Sequence, residues 1–161
     1  KSCTASGMAN ARLRVGLDAN ILIAGVRLPR WPYEVMRAAI LGSFDLVLPE
    51  QVFIEARRHL NQPGQLAALE AFLKGSAYEE LAMPPREQVW ENRDLVRSER
   101  DVPIAVALLE GGVDIFVTND RDFTDLDATR RPWKPSAIAP GRMSAPRRRR
   151  KPRTGRDSSA G

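Results

Sequence analysis

Histidine and cysteine are almost missing from this chain. His59 is the only histidine and Cys3 the only cysteine in 161 residues. That removes histidine-rich zinc sites, thiolate clusters, disulfide frameworks and most histidine-based triads. No apolar stretch approaches the roughly 18 residues that cross a membrane. The first residues also lack the charged-then-apolar pattern of a signal peptide. A reducing cytoplasm is the simplest compartment for such a chain. What remains is an apolar share of 43%, enough for one domain with one core. Any chemistry falls to carboxylates.

Charge is unevenly placed. From Ser144 onward there are seven basic residues (Arg147, Arg148, Arg149, Arg150, Lys151, Arg153, Arg156) and one acid, Asp157. The body before them holds 18 basic and 19 acidic residues, a net of −1 against +5 for the whole chain. The tail is otherwise Pro, Gly and Ser, with too little apolar surface to offset the entropy of ordering. Residues 140–161 are therefore read as a disordered basic tail. Residues 1–11 are small and polar and are read as a flexible extension. Met8 offers a start site, which would make residues 1–7 an upstream segment.

Two short apolar runs each deliver an aspartate at their downstream end: Val15-Gly16-Leu17-Asp18, and Val113-Asp114-Ile115-Phe116-Val117-Thr118-Asn119-Asp120. Runs of this length between helical patterns read as strands buried in a parallel sheet. Ligand sites in open α/β sheets form beyond the carboxyl ends of such strands. Asp18 and Asp120 are thereby expected at one site, where two carboxylates repel unless a cation or a proton lies between them.

The rest alternates regularly. Helices are expected over about 20–26, 31–41, 50–60, 65–74, 85–97 and 103–110. Strands are expected over 13–18, 45–48, 77–83 and from Val113. Gly42 serves as a C-cap and Gly111-Gly112 as a helix stop. Such alternation implies a three-layer α/β fold, a mostly parallel sheet flanked by helices. After Leu126 come Pro132, Pro135 and Pro140, and only Ser136–Ala139 suits a final strand, which is expected to be short or absent.

Two more acids have suggestive places. On the helix from Glu50, Val52, Ala56 and Leu60 make the buried stripe, and Glu55 lies on its edge, able to face the sheet. Asp101 precedes Pro103 and an almost wholly apolar helix. Taken singly, Asp101 reads as a helix cap, Glu55 as a solvated neighbour of a stripe and Asp18 as a strand end. As a set, in a chain with no other catalytic equipment, they point to a site.

With these segments in view, the chain resembles a PIN domain, the nuclease fold of VapC-type toxins. The matching stretches are Leu17-Asp18-Ala19-Asn20-Ile21-Leu22, Pro49-Glu50-Gln51-Val52-Phe53-Ile54-Glu55, Asp101-Val102-Pro103-Ile104-Ala105-Val106-Ala107-Leu108 and Gly112–Phe123. The last includes the fairly specific Val117-Thr118-Asn119-Asp120 followed by Arg121-Asp122-Phe123. The resemblance covers about 13–126, within a domain placed at 12–139. It implies that Asp18, Glu55, Asp101 and Asp120 form an acidic quartet that holds a divalent ion and carries catalysis. It also implies that Asn20 and Thr118 support the quartet by hydrogen bonds, with Asp114 and Asp122 as companions of structural or ligand role.

The expected ion is Mg2+ or Mn2+, a hard cation content with a few carboxylates and several waters. The expected reaction is hydrolysis of an RNA phosphodiester by water that the ion activates. RNA is the substrate partner, and the toxin of a toxin–antitoxin pair is the favoured role. The resemblance allows an antitoxin protein and a homodimer as further partners. The alternatives are a PIN nuclease of RNA processing or decay, and a non-catalytic PIN-like RNA-binding or scaffold protein. A haloacid-dehalogenase-type phosphatase needs an aspartate where Asn20 stands. His59, one turn after Glu55, reads as helix-packed or solvent-facing. Trp31, Trp90 and Trp133 read as core residues unless a basic surround makes them base-stacking platforms.

The tail reads as a nonspecific RNA arm ahead of a localisation tract or a tolerated extension. Removing residues 144–161 is expected to weaken RNA binding and flatten its log–log salt slope by roughly 2–3 units, at about 0.7 per phosphate contact. Metal-dependent cleavage should survive, because every expected ligand precedes the cut. Equal slopes for the full and shortened chains across a salt series would make the tail a bystander.

Overall fold

Strands that are covered on both faces need apolar residues at consecutive positions, and the central strands supply them. In β1 (Arg14–Leu17) and β2 (Asp45–Pro49), every residue after the first is buried. The computed structural model describes residues 12–124 and 136–138. The expected extension at 1–11, the basic tail and Trp133 lie outside the described residues.

With β3 (Tyr78–Leu81), β4 (Ile115–Val117) and β5 (Ser136–Ile138), the strands form one sheet in the order β3-β2-β1-β4-β5. Every neighbouring pair is parallel. The last strand spans three residues, as short as its proline-rich surroundings imply. From β1 the chain builds outward through β2 and β3, then returns to the other side of β1 for β4. The gap beyond β1 and β4 is therefore the switch point of the sheet, where a crevice opens at the carboxyl ends.

Seven helices are seen among the described residues: α1 (Ala19–Arg27), α2 (Trp31–Ile40), α3 (Glu50–His59), α4 (Pro63–Gly75), α5 (Arg86–Glu91), α6 (Val102–Glu110) and α7 (Arg121–Thr124). Helix α6 is apolar around its circumference because it is buried, with Val102, Ile104, Ala105, Val106, Ala107 and Leu108 all in the core. Phe116 of β4 is fully buried and meets Phe123 edge to face, ring centroids 5.1 Å apart.

Two glycines end helices in the left-handed region. Gly42 has φ +69° and Gly112 φ +61°. After each, the next N–H reaches back five residues (Ser43 to Ala38 O at 3.0 Å, Val113 to Leu108 O at 3.1 Å). These are Schellman closures, and the second turns α6 directly toward β4.

The helix expected over 85–97 stops at Glu91. Asn92 turns its side-chain amide onto Gln88 O at 2.8 Å, and the adjacent Leu95 and Val96 both enter the core at 3% exposure. A helix with no buried residue of its own has little to hold it against that inward turn. Strand β3 is likewise shorter than the expected 77–83, as befits a polar edge strand.

Gly25 sits where α1 and α2 come closest. A Cβ there would strike Met36 Sδ and stand 3.2 Å from the backbone of Pro32. Helix propensity alone would favour Gly25→Ala by about 1 kcal/mol. Overpacking against backbone should outweigh it, so denaturant unfolding is expected to show a net loss of about 1–3 kcal/mol. A gain in stability would mean the two helices part easily.

Candidate active site

The register of β1 on β4 (Gly16 beside Phe116, Leu17 beside Val117) brings Asp18 and Thr118 together at the switch point. The Asp18 N–H continues the ladder onto Val117 O at 3.0 Å. Its side chain is the N-cap of α1, accepting from the Ala19 N–H at 2.7 Å. Its other oxygen accepts from the Thr118 hydroxyl at 2.6 Å, across one hundred residues of sequence. Thr118 is itself fully buried. Its oxygen accepts the Asp120 N–H at 2.9 Å, which leaves its single proton for Asp18.

The chain of hydrogen bonds continues. Asp120 Oδ1 accepts the Asp122 N–H at 2.9 Å, and Asp120 O receives the Phe123 N–H at 3.3 Å. Asp120 thus opens the short α7 and turns Asp122 back over the site. Asp101 arrives from the other side. Although it precedes α6, its carboxylate makes no cap bond to that helix; the Ser98 hydroxyl holds it instead. The reading of Asp101 as a cap therefore does not describe this carboxylate. Asp101, Asp120 and Asp122 are half-buried, and one oxygen from each lies within 4.8 Å of the others.

Glu55, half-buried on α3, completes the neighbourhood. Its charge bears on both Asp18 and Asp101. Burial pushes the Asp18 carboxyl from its ordinary 3.8 to about 6, against the pull of the Thr118 and Ala19 hydrogen bonds, with Glu55 and Asp120 adding repulsion. Burial likewise raises Asp101, against its bond from Ser98, and Asp120, Asp122 and Glu55 raise it further. Five acids share one field. The arginines that form ion pairs at Arg12, Arg14, Arg37 and Arg57 spend them on Asp45, Glu79, Glu34 and Glu70.

Of the expected quartet, then, Asp101 and Asp120 stand in the close carboxylate group, while Asp18 and Glu55 adjoin it. Asp122, named in the sequence only as a companion, is the third member of that group. Thr118 is hydrogen-bonded to the Asp18 carboxylate and to the Asp120 N–H. Asn20 is exposed in the first turn of α1, with no hydrogen bond to these acids among the described residues. Asp114 lies at the opposite edge of the sheet, where its carboxylate accepts the Arg14 N–H at 2.8 Å, away from the carboxylate group. His59 is solvent-facing, with its carbonyl receiving Arg27. The contribution of Ser98 has no signal in the sequence beyond its place three residues before Asp101.

The model of the PIN domain family matches residues 15–128. The chain belongs to the PIN domain family. Two solved structures share the fold of this PIN domain. One is PAE2754 from Pyrobaculum aerophilum, at 18% identity and TM-score 0.50 over 68% of this chain and 82% of that one. The other is VapBC2 from Rickettsia felis bound to a DNA fragment from their promoter, at 17% identity and TM-score 0.53 over 69% of this chain and 91% of that one. No curated protein matches the chain.

The donor set of this PIN domain is oxygen only, half-buried and convergent, which fits a hard divalent cation. Without such an ion, Asp18 leaves a pH signature. The native carboxyl keeps its proton up to about pH 6, whereas the unfolded one releases it near 4. The native state then binds more protons across that window, so stability falls as pH rises from about 4 to about 6. At about 1.4 kcal/mol per pKa unit the fall is roughly 3 kcal/mol. Asp18→Asn should lack this loss in chelator, and the difference between the two stability–pH curves isolates it. Parallel curves would show that burial does not perturb Asp18.

Proposed function

We propose that this PIN domain is a metal-dependent endoribonuclease and serves as the toxin of a toxin–antitoxin pair. The observation that carries the reading is the convergence of Asp101, Asp120 and Asp122 in front of buried Asp18 at the sheet's switch point. Asp101, Asp120 and Asp122 would hold Mg2+ or Mn2+, with Asp18 and Glu55 completing the negative field. A bound ion supplies polarisation of a phosphate and activation of water.

The chain's own residues set up that chemistry. Thr118 fixes the Asp18 carboxylate by donating to it and anchors the Asp120 backbone by accepting from it. Ser98 keeps Asp101 turned from the helix it precedes. The Asp120 carboxylate fixes the backbone that carries Asp122. Each acid is thereby positioned before substrate arrives, which is where preorganised sites gain their rate.

The toxin role has separate support. The fold is shared with a VapBC2 assembly. A 440 Å3 groove between α1, α2 and α4, lined by Leu28, Tyr33, Met36 and Ile40 among others, offers apolar surface to a protein partner. That partner is the expected antitoxin.

The test is cleavage of single-stranded RNA with Mg2+ or Mn2+. Asp120→Asn and Asp101→Asn should abolish it, chelator should stop it reversibly, and Thr118→Val should slow it by about 10- to 100-fold, as outer-shell partners do. The ions should also raise the melting temperature with concentration, worth about 2.7 kcal/mol at one hundred times Kd. Cleavage that persists in Asp120→Asn or in chelator sinks the metal-dependent acidic centre, and no cleavage by the parent chain sinks the nuclease reading. For the role, expression should arrest growth only with Asp120 intact, and a co-expressed neighbouring gene should relieve it.

A further inference from the structure

The face beside Asp101 presents an aromatic ring and cations that the acidic site does not use. Trp90 of α5 is 69% exposed. The Arg93 guanidinium lies over its ring at 4.6 Å from the centroid and donates to the Trp90 carbonyl at 3.2 Å. Below them is a 280 Å3 cleft lined by Met83, Arg86, Trp90, Arg93, Glu99 and Pro103 among others. Pro103, in the first turn of α6, lines this cleft, and Asp101 stands just before that helix.

We propose that this cleft is a nucleobase subsite: an unpaired base of the RNA strand stacks against Trp90 while Arg86 and Arg93 meet its flanking phosphates. The proposal rests on the ribonuclease reading and adds to it how the strand is held. An indole kept in water at this exposure gains by covering with a flat apolar group, and every base offers one. Charge favours a nucleic acid. Arg93 lies over the ring and Arg86 lines the same cleft, so a strand crossing from this cleft to the acidic centre would meet cations before ion-bridged acids. The cleft is at the small end of ligand sites, which suits a single planar base. Glu99 adds an acceptor for a base amino or imino hydrogen. Trp31, by contrast, is packed against the core and has no such surround.

The experiment measures binding of a fluorescent single-stranded RNA across a salt series in chelator, and cleavage kinetics in Mg2+. Trp90→Ala should weaken binding by about 5- to 100-fold with the salt slope unchanged, raise KM by the same factor and leave kcat at saturating RNA near that of the parent. Trp90→Phe should restore most of the affinity. Arg86→Gln should lower the slope by about 0.7. One abasic position in the strand should weaken binding to the parent chain and not to Trp90→Ala. Melting curves check the fold, which α5 burdens little, having no buried residue.

Unchanged RNA affinity in Trp90→Ala, with cleavage intact, overturns the subsite and spares the nuclease. A parent chain that neither binds nor cleaves RNA overturns both. A change of oligomeric state in Trp90→Ala, by light scattering, assigns the face to a second copy of the chain and overturns the subsite.

Discussion

Repulsion among carboxylates at one sheet edge is the constraint on which this structure turns. Asp18 is nearly sealed, at 5% exposure, and an anion there is costly unless hydrogen bonds or a cation answer it. The fold answers it partly. The Ala19 N–H and the Thr118 hydroxyl occupy both its oxygens, yet burial still dominates and its proton is held to about pH 6. A site so arranged is unbalanced as a bare protein, and the proposed divalent ion would balance it. On that proposal, stability given up at the switch point would return as affinity for the ion, the usual relation between a functional site and its scaffold.

That arrangement makes strand register a functional quantity. Thr118 meets Asp18 only because Val117 lies beside Leu17. Sliding β4 by one residue would send the Thr118 side chain to the other face of the sheet and Asp120 with its neighbours out of place. The buried residues around it defend the register: Phe116 fully enclosed, Phe123 against it, and Gly16 where a Cβ would stand 2.9 Å from Leu108 Cδ2. Gly112 adds the tight turn that delivers α6 to β4. Core packing and acid geometry are thus one problem, and a cavity near Phe116 would be felt as a displaced Asp120.

Much of this was legible because it depends on short-range patterns. Buried parallel strands announce themselves as apolar runs, so β1 and β4 were placed with their terminal aspartates at one edge. Gly42 and Gly112 mark helix ends because only glycine takes those backbone angles easily. The end of α5 was not legible: Leu95 and Val96 leave a polar helical pattern for a core whose position depends on distant segments. The position of Asp122 in the carboxylate group is illegible for a related reason. Its place beside Asp101 comes from a two-residue hydrogen-bonded turn on Asp120, and periodicity does not register a turn of that kind. Asp101 shows the converse. Its position invites a cap, yet its carboxylate makes no cap bond and takes the Ser98 hydroxyl instead, a choice that position alone does not reveal.

On the proposed ribonuclease reading, an acidic centre that acts on a polyanion has to obtain attraction elsewhere. The body of the chain is close to neutral, at net −1 before Ser144, so it draws RNA weakly at long range. A bound divalent ion cancels two of five negative charges, which permits approach without producing it. Basic and stacking groups outside the acids must therefore carry the binding. The sequence from Ser144 concentrates seven positive charges, whereas Arg86, Arg93 and Trp90 line one cleft of the fold. On the proposed reading the first would raise the local concentration of any strand, and the second, on the described fold, would set which bond of that strand faces the acids. Affinity and register on the substrate are then separate properties of separate parts, as phosphate contacts and base contacts divide in other nucleic-acid interfaces.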